Sequence, residues 1–389
     1  MTIEGPRAWR RNEGDPLPFA LHDYGIRSWS ENAPDQERIR SPHRGSAASL
    51  ALDKVGSDVD VRRAAAAFAK PDIRQSALQL VTSFGPFLVG CAGMHMIAPV
   101  SWLATVALAL PTGALVVRVF IIQHDCGHRS FFASNRANTL VGRACSLITL
   151  TPFANWSHQH GLHHGDWNNL DRKGGSDIYS ACLTVDEYLA LSRWRRFLYR
   201  LPRHPLIANI LMPPLVIVLL YRVPFDTPRE WVRERWSVHL TNLALASLFG
   251  TLVVMLGWQQ VLLVHLSIMV VASILGVWLF SLQHRFETAH WTVREEWSFV
   301  DAALRGSSWF NLPPPLRWLT GNIGFHHVHY LNPRVPNYRL QEAHHAVQAL
   351  RPVTPLGLGG GLAASVLTLW DERRGRLVRF RDACAGSKR

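Results

Sequence analysis

The chain has 389 residues, 48% hydrophobic and 18% charged, with 41 Lys and Arg against 28 Asp and Glu for a net charge of +13. Its mean hydropathy of +0.03 would suit a large soluble protein, yet no Asp, Glu, Lys or Arg occurs from Gln75 to Val117 or from Trp236 to His284. Those runs of 43 and 49 residues are about twice the ~20 residues that cross a bilayer as a helix, which excludes a soluble globular class, and five scattered cysteines exclude a secreted disulfide scaffold.

In chain order, residues 1–74 read as a polar tail with no apolar stretch long enough for a cleavable signal. A short interfacial helix is expected within 61–76, interrupted by Pro71. Transmembrane helices are expected at about 76–97, 101–122, 239–257 and 260–283, as two hairpins. Between them, the apolar stretch from Asn138 to Asn155 is too short to cross and carries Arg143, so it reads as a re-entrant or membrane-skimming helix. The cluster Arg193, Arg195, Arg196, Arg200 and Arg203, interleaved with Trp194, Phe197, Leu198 and Tyr199, suits anionic lipid headgroups, with an acidic protein as the alternative. Nucleic acid is not indicated, because the basic residues lie beside spans rather than along a recognition element. The uncharged run His204–Tyr221 holds Pro205, Pro213 and Pro214 and is where a count of four spans is most open to revision. The late apolar stretch LGLGGGLAASVLTLW is short and broken by glycine, and is expected on the surface.

Neither tight turn, Ile97–Trp102 nor Leu256–Val261, contains Lys or Arg, so the positive-inside rule places both termini and the middle segment in the cytoplasm. The expected fold is an all-α integral membrane protein of the inner membrane, with four transmembrane helices and a cytoplasmic helical cap. Its domains would be a tail at 1–74, a catalytic domain at 75–345 and a cytoplasmic C-terminal tail at 346–389.

The histidines carry the chemistry. Of 19, ten fall into four short segments: QHDCGH, SHQHGLHH, LQHRFE and GFHHVHYL. Side chains three or four apart share a helix face, so His124 pairs with His128, His160 with His163 and His164, and His326 with His329. With His284 that makes eight imidazoles, whereas about four ligands satisfy one zinc, so two metals are the economical reading. Imidazole suits Fe, Cu, Zn and Ni alike, and ligand type alone does not name the metal. Cys126 reads as a small buried residue, His95 and His265 as core histidines near the outer turns, and His344 and His345 as solvated. His158 is either a supporting group or merely exposed.

Residues from about 76 to 340 resemble the membrane-bound fatty acid desaturase family, most closely its bacterial acyl-lipid branch. Beyond the histidine motifs, IIQHDCGHRSFF, LDRKGGSDIYSACLTVDEY, QHRFE, RGSSWF and GNIGFHHVHYLNPRVPNYRL fit that family's pattern in order. The resemblance implies a non-haem di-iron site at the cytoplasmic face, activating O2 to remove two hydrogens from a methylene pair of a membrane acyl chain. Its ligands would be His124, His128, His160, His163, His164, His284, His326 and His329. The third motif departs from the pattern, reading Tyr330 where a second adjacent histidine belongs. Phenolate ligation, an open position holding water, or replacement by His327 would each accommodate this, and a vacant or His327-filled position is favoured over phenolate, which would stabilise ferric iron against reduction.

Two electrons must come from a donor. The chain has no flavin or nicotinamide fingerprint, no Cys-x-x-Cys and no fused cytochrome b5 segment, so the family implies a separate ferredoxin or similar small carrier. Asp125, His158, Asp166, Asp171 and Glu287 are available to orient the ligands. Two rival readings are a lipid or carotenoid hydroxylase or ketolase on the same scaffold, and a membrane electron carrier with haem held by His95 and His265. Transport is weaker still, since the spans lack charged residues.

Overall fold

The computed structural model describes residues 57–165, 167–171 and 182–386, all within one compact unit. Most of the expected N-terminal tail, and Asp166, lie outside the described residues. The first helix, α1 (Asp58–Ala66), starts with a capping box in which Ser57 and Asp60 satisfy each other's backbone N–H groups. It buries Val61 and Ala65. The chain then passes Pro71, and the Asp72 carboxylate accepts the Arg74 N–H at 2.8 Å to open α2 (Ile73–Ile97). A tight turn follows, and the Ser101 hydroxyl caps α3 (Trp102–Gly127).

Helix α3 runs five residues past its expected end and carries the first histidine motif as helix, because nothing in IIQHDCG breaks the backbone ladder. It stops where Arg129 takes a left-handed φ of 57°. Helix α4 (Asn135–Thr149) is short and amphipathic, ends at a left-handed Leu150, and leads into α5 (Phe153–Gly165). Gly142 on α4 permits that arrangement, since a Cβ there would sit 2.3 Å from the Phe153 ring. Helices α6 (Val185–Ala190) and α7 (Arg193–Arg200) follow.

From Leu201 to Arg222 the chain alternates 3-10 and π turns around one α-turn, α8 (Met212–Pro214). Prolines 205, 213 and 214 lack the N–H that a regular ladder needs. The segments Arg193–Arg203 and Ile207–Arg222 are bent by 43° to each other, as a broken span or a re-entrant loop would be.

Helices α9 (Val232–Leu256) and α10 (Trp258–His284) form the second hairpin, turning at Gly257 with φ 84°. Helix α9 begins earlier than expected, because the charged segment VRERWSV is helical too; charge sets depth in a bilayer, not helicity. Helices α2, α3, α9 and α10 are long and apolar enough to cross a membrane. Helix α3 lies at the centre against α2, α4 and α10. At Gly113 it approaches α10 so closely that a Cβ would meet Val271 at 2.8 Å and the Ile268 carbonyl at 2.9 Å. Phe87, Met94, Val116, Val264 and Ile268 fill the core between these helices, while apolar side chains such as Val89 and Val254 face outward.

Beyond the histidine-bearing helix ends lies a cap of short helices: α11 (Phe299–Gly306), α12 (Pro314–Leu319), α13 (His326–Leu331), α14 (Leu340–Leu350), α15 (Leu358–Ala364) and α16 (Phe380–Gly386). Two small sheets tie it together. Strand β1 (Leu183–Thr184) pairs parallel with β4 (Leu369–Asp371), Leu183 opposite Leu369, and β4 pairs antiparallel with β5 (Arg376–Val378). Strand β2 (Trp309–Phe310) pairs parallel with β3 (Pro355–Leu356). The stretch expected on the surface is therefore partly interior: Leu369 and Trp370 are buried, and Trp370 shares a core with Trp167, Leu282 and Trp291.

Candidate metal centre

Four elements deliver the histidines to one place. His124 lies in the last turn of α3 and His128 caps it; His160, His163 and His164 lie on α5, His284 ends α10, and His326 and His329 lie on α13. They form two adjoining lobes. In the first, the donor nitrogens of His124, His128, His160, His164 and His329 all lie within 4.8 Å of one another. His164 Nε2 is 3.1 Å from both His160 Nε2 and His329 Nε2. In the second lobe, His284 Nε2 is 3.2 Å from His163 Nε2 and 3.1 Å from His326 Nε2. Neighbours on α5, His163 and His164, join the lobes, with ring centroids 6.0 Å apart.

These contacts fit a cation better than hydrogen bonds. A neutral imidazole has one protonated and one bare nitrogen, so a single Nε2 can make only one N–H···N bond. His284 Nε2 and His164 Nε2 each face two others, which leaves one contact in each trio unsatisfied. His128 Nε2 is buried with no hydrogen-bond partner. A metal ion in each lobe would take all these lone pairs at once. Burial, reinforced by repulsion among neighbouring rings, holds His128, His160, His164, His326 and His329 well below the usual imidazole pKa. They are therefore neutral, the form that binds metal.

The surroundings fix the rings. Asp125 Oδ1 is 3.2 Å from His124 Nδ1, while Oδ2 accepts the Asn337 backbone and side-chain N–H groups at 2.6 and 2.8 Å. Gln79 completes the chain by donating to Asn337 Oδ1 at 2.8 Å. Trp156 stacks on His160 at 4.6 Å, and Trp167 lies 3.6 Å from His284, held by its Nε1–H on the Gly306 carbonyl. The Tyr330 ring stacks on His164 at 4.2 Å and lies 4.8 Å from His284 and from His326, so it borders both lobes.

Other residues singled out from the sequence fall elsewhere. His327 points away from the lobes, its Nε2 3.0 Å from His344 Nδ1. His344, expected to be solvated, is buried between Trp309 and Phe325. His158 stands outside both lobes, stacked on Trp231 and bonded to Glu234 at 3.0 Å. Asp171 accepts the Arg294 N–H at 2.8 Å, and Glu287 pairs with Arg376 of β5 at 2.6 Å; both carboxylates are exposed and tie neighbouring segments together. Cys126 is buried among Phe131, Cys145 and Phe153 as expected. Asn337 and Gln79 carried no sequence signal for a site. The burial of His344 was legible, since Leu340, Ala343, His344 and Val347 form one helical stripe, and all four are buried.

The fatty acid desaturase family model matches residues 100–357. A Bacillus subtilis (strain 168) protein named fatty acid desaturase is 42% identical over 316 residues, covering 81% of this chain and 89% of the relative. An sn-1 oleoyl-lipid 12-desaturase of Picosynechococcus sp. is 29% identical over 273 residues, covering 67% and 73%. A protein of Nostoc sp. (strain 36) named sn-1 acyl-lipid omega-3 desaturase (ferredoxin) is 25% identical over 267 residues, covering 65% and 69%. The matched segment holds all eight histidines of the two lobes, and with more than half of its length inside that model the chain belongs to the fatty acid desaturase family.

Proposed function

We propose that this desaturase introduces a cis double bond into the acyl chain of a membrane lipid, with two irons held by the eight lobe histidines. The observation that carries the reading is the pair of converging Nε2 trios around His164 and His284. Bound there, the irons would supply O2 reduction and hydrogen abstraction. The balance is one methylene pair, one O2, two electrons and two protons giving one alkene and two waters. His124 receives its orientation from Asp125, which holds the Nδ1 proton and leaves Nε2 bare for metal. Trp156, Trp167 and Tyr330 wall the lobes, keep the rings in place and exclude water.

Residues 75–345 would form the catalytic domain, flanked by cytoplasmic segments at 1–74 and 346–389. The lobes would face the cytoplasm, since neither hairpin turn at the opposite end contains Lys or Arg. A separate ferredoxin or similar carrier would deliver the electrons, in keeping with the word ferredoxin in the name of the Nostoc relative. Anionic headgroups are the better partner for α7: Arg196 bonds the Leu191 carbonyl and Arg200 and Arg203 lie over aromatic rings, leaving Arg193 and Arg195 exposed beside exposed Trp194 and Phe197. Expression in a host lacking polyunsaturated lipids, followed by gas chromatography of its fatty acids, tests the reaction. A new unsaturated species is expected; an oxygenated product instead would refute it.

A further inference from the structure

A second set of metal-binding side chains comes together at the far end of the spans from the histidine lobes. Cys91 and His95, one turn apart on α2, meet His265 on α10, and the thiol sulfur and two ring nitrogens lie within 4.8 Å of one another. His265 is 19 residues before His284 on the same helix, about 28 Å along its axis, so this group cannot share a metal with the lobes.

Distances limit the ways two imidazoles can meet. The Nε2 atoms of His95 and His265 are 3.3 Å apart, with the rings tilted by 52°. That separation lies within hydrogen-bond reach of two neutral imidazoles, and it is also the spacing of two ligands on one ion. Two nitrogens bound tetrahedrally to zinc at about 2.0–2.1 Å lie about 3.3 Å apart. Direct contact also leaves no slot for a porphyrin, which removes the haem reading. Gln260 anchors the arrangement by donating to the His95 carbonyl at 2.6 Å, and Phe249 packs on His265 with centroids 5.0 Å apart.

We propose that Cys91, His95 and His265 form a Zn(II) site that clips α2 to α10, with the fourth position open. A thiolate with two imidazoles suits zinc, which is tetrahedral and redox-inert, and disfavours the hard cations that prefer oxygen. The clip would join positions 170 residues apart in sequence. It would secure the outer end of α2, whose apolar window is only 17% buried.

The probe is Co(II), which substitutes for zinc and gives a thiolate-to-metal charge-transfer band in the near ultraviolet. The lobes bring together imidazoles and the Tyr330 phenol but no thiol, so a thiolate band separates the two sites. Iron-loaded full-length enzyme, titrated with Co(II), should develop the band to saturation at one equivalent beyond the iron, and Zn(II) should bleach it. Cys91→Ser should abolish the band while retaining iron and desaturase activity, and His265→Ala should weaken it. Absence of the band from the wild-type protein, or its persistence in Cys91→Ser, would overturn the proposal whatever the lobes contain.

Discussion

Asp125 grips the ring of its own neighbour, His124, with one carboxylate oxygen and the residue that starts a distant turn, Asn337, with the other. This couples the end of α3 to the segment after α13, so the first and third histidine motifs are held in one frame. Replacing Asp125 by Asn removes the charge that holds the Nδ1 proton, and iron affinity or turnover should fall about 10–100-fold. Metal analysis and product yield in membranes check this. Wild-type values in both would reduce the contact to packing.

His327 and His344 supply the contrast. Their bond at 3.0 Å lies outside the lobes. His327→Ala should therefore keep the full iron complement while losing about 1–3 kcal/mol of stability from an unpaired buried group. His326→Ala and His329→Ala should each lose metal instead. Iron counts beside thermal melts separate the two classes, and iron loss in His327→Ala would return that residue to the centre.

Tyr330 borders both lobes with its ring stacked on His164. With His327 engaged elsewhere, the remaining choice is between a phenolate ligand and a neutral wall beside an open position. The second is favoured, because phenolate would stabilise ferric iron against the reduction that O2 chemistry needs. Tyr330→Phe should keep both irons and leave the visible spectrum of the ferric protein unchanged, and Tyr330→His should bind iron more tightly. A phenolate-to-iron band that vanishes in Tyr330→Phe together with activity would decide for ligation.

Charge reversal at Arg193 and Arg195 tests the surface of α7. In nanodiscs, the double Glu variant should lose the activation that anionic lipid gives the wild type, each basic group contributing about 1 kcal/mol near such a surface. The apparent donor KM should not move. A raised KM with weakened salt dependence would assign the patch to the electron carrier.

Much of this arrangement was legible in the sequence because two signals were strong. Charge-free runs located four long helices, and histidines spaced by three and four placed their imidazoles on shared faces. What stayed hidden depended on tertiary contact. Asp171 and Glu287 sit in sequence near the motifs, yet they bond to Arg294 and to Arg376 at the start of β5. Asn337 acquires its place only when the segment after α13 folds back on α3. Helix α3 outruns its expected end because charge and polarity mark a boundary that helix geometry ignores.

The two-iron centre is tested most directly by counting iron in purified, anaerobically reconstituted protein, for the wild type beside His163→Ala and His284→Ala. Two irons per chain are expected in the wild type, and in each variant a loss of iron from the second lobe with no unsaturated product, while the helical content and membrane association persist. A wild-type chain that takes a single metal, or full iron and full activity in both variants, would contradict it.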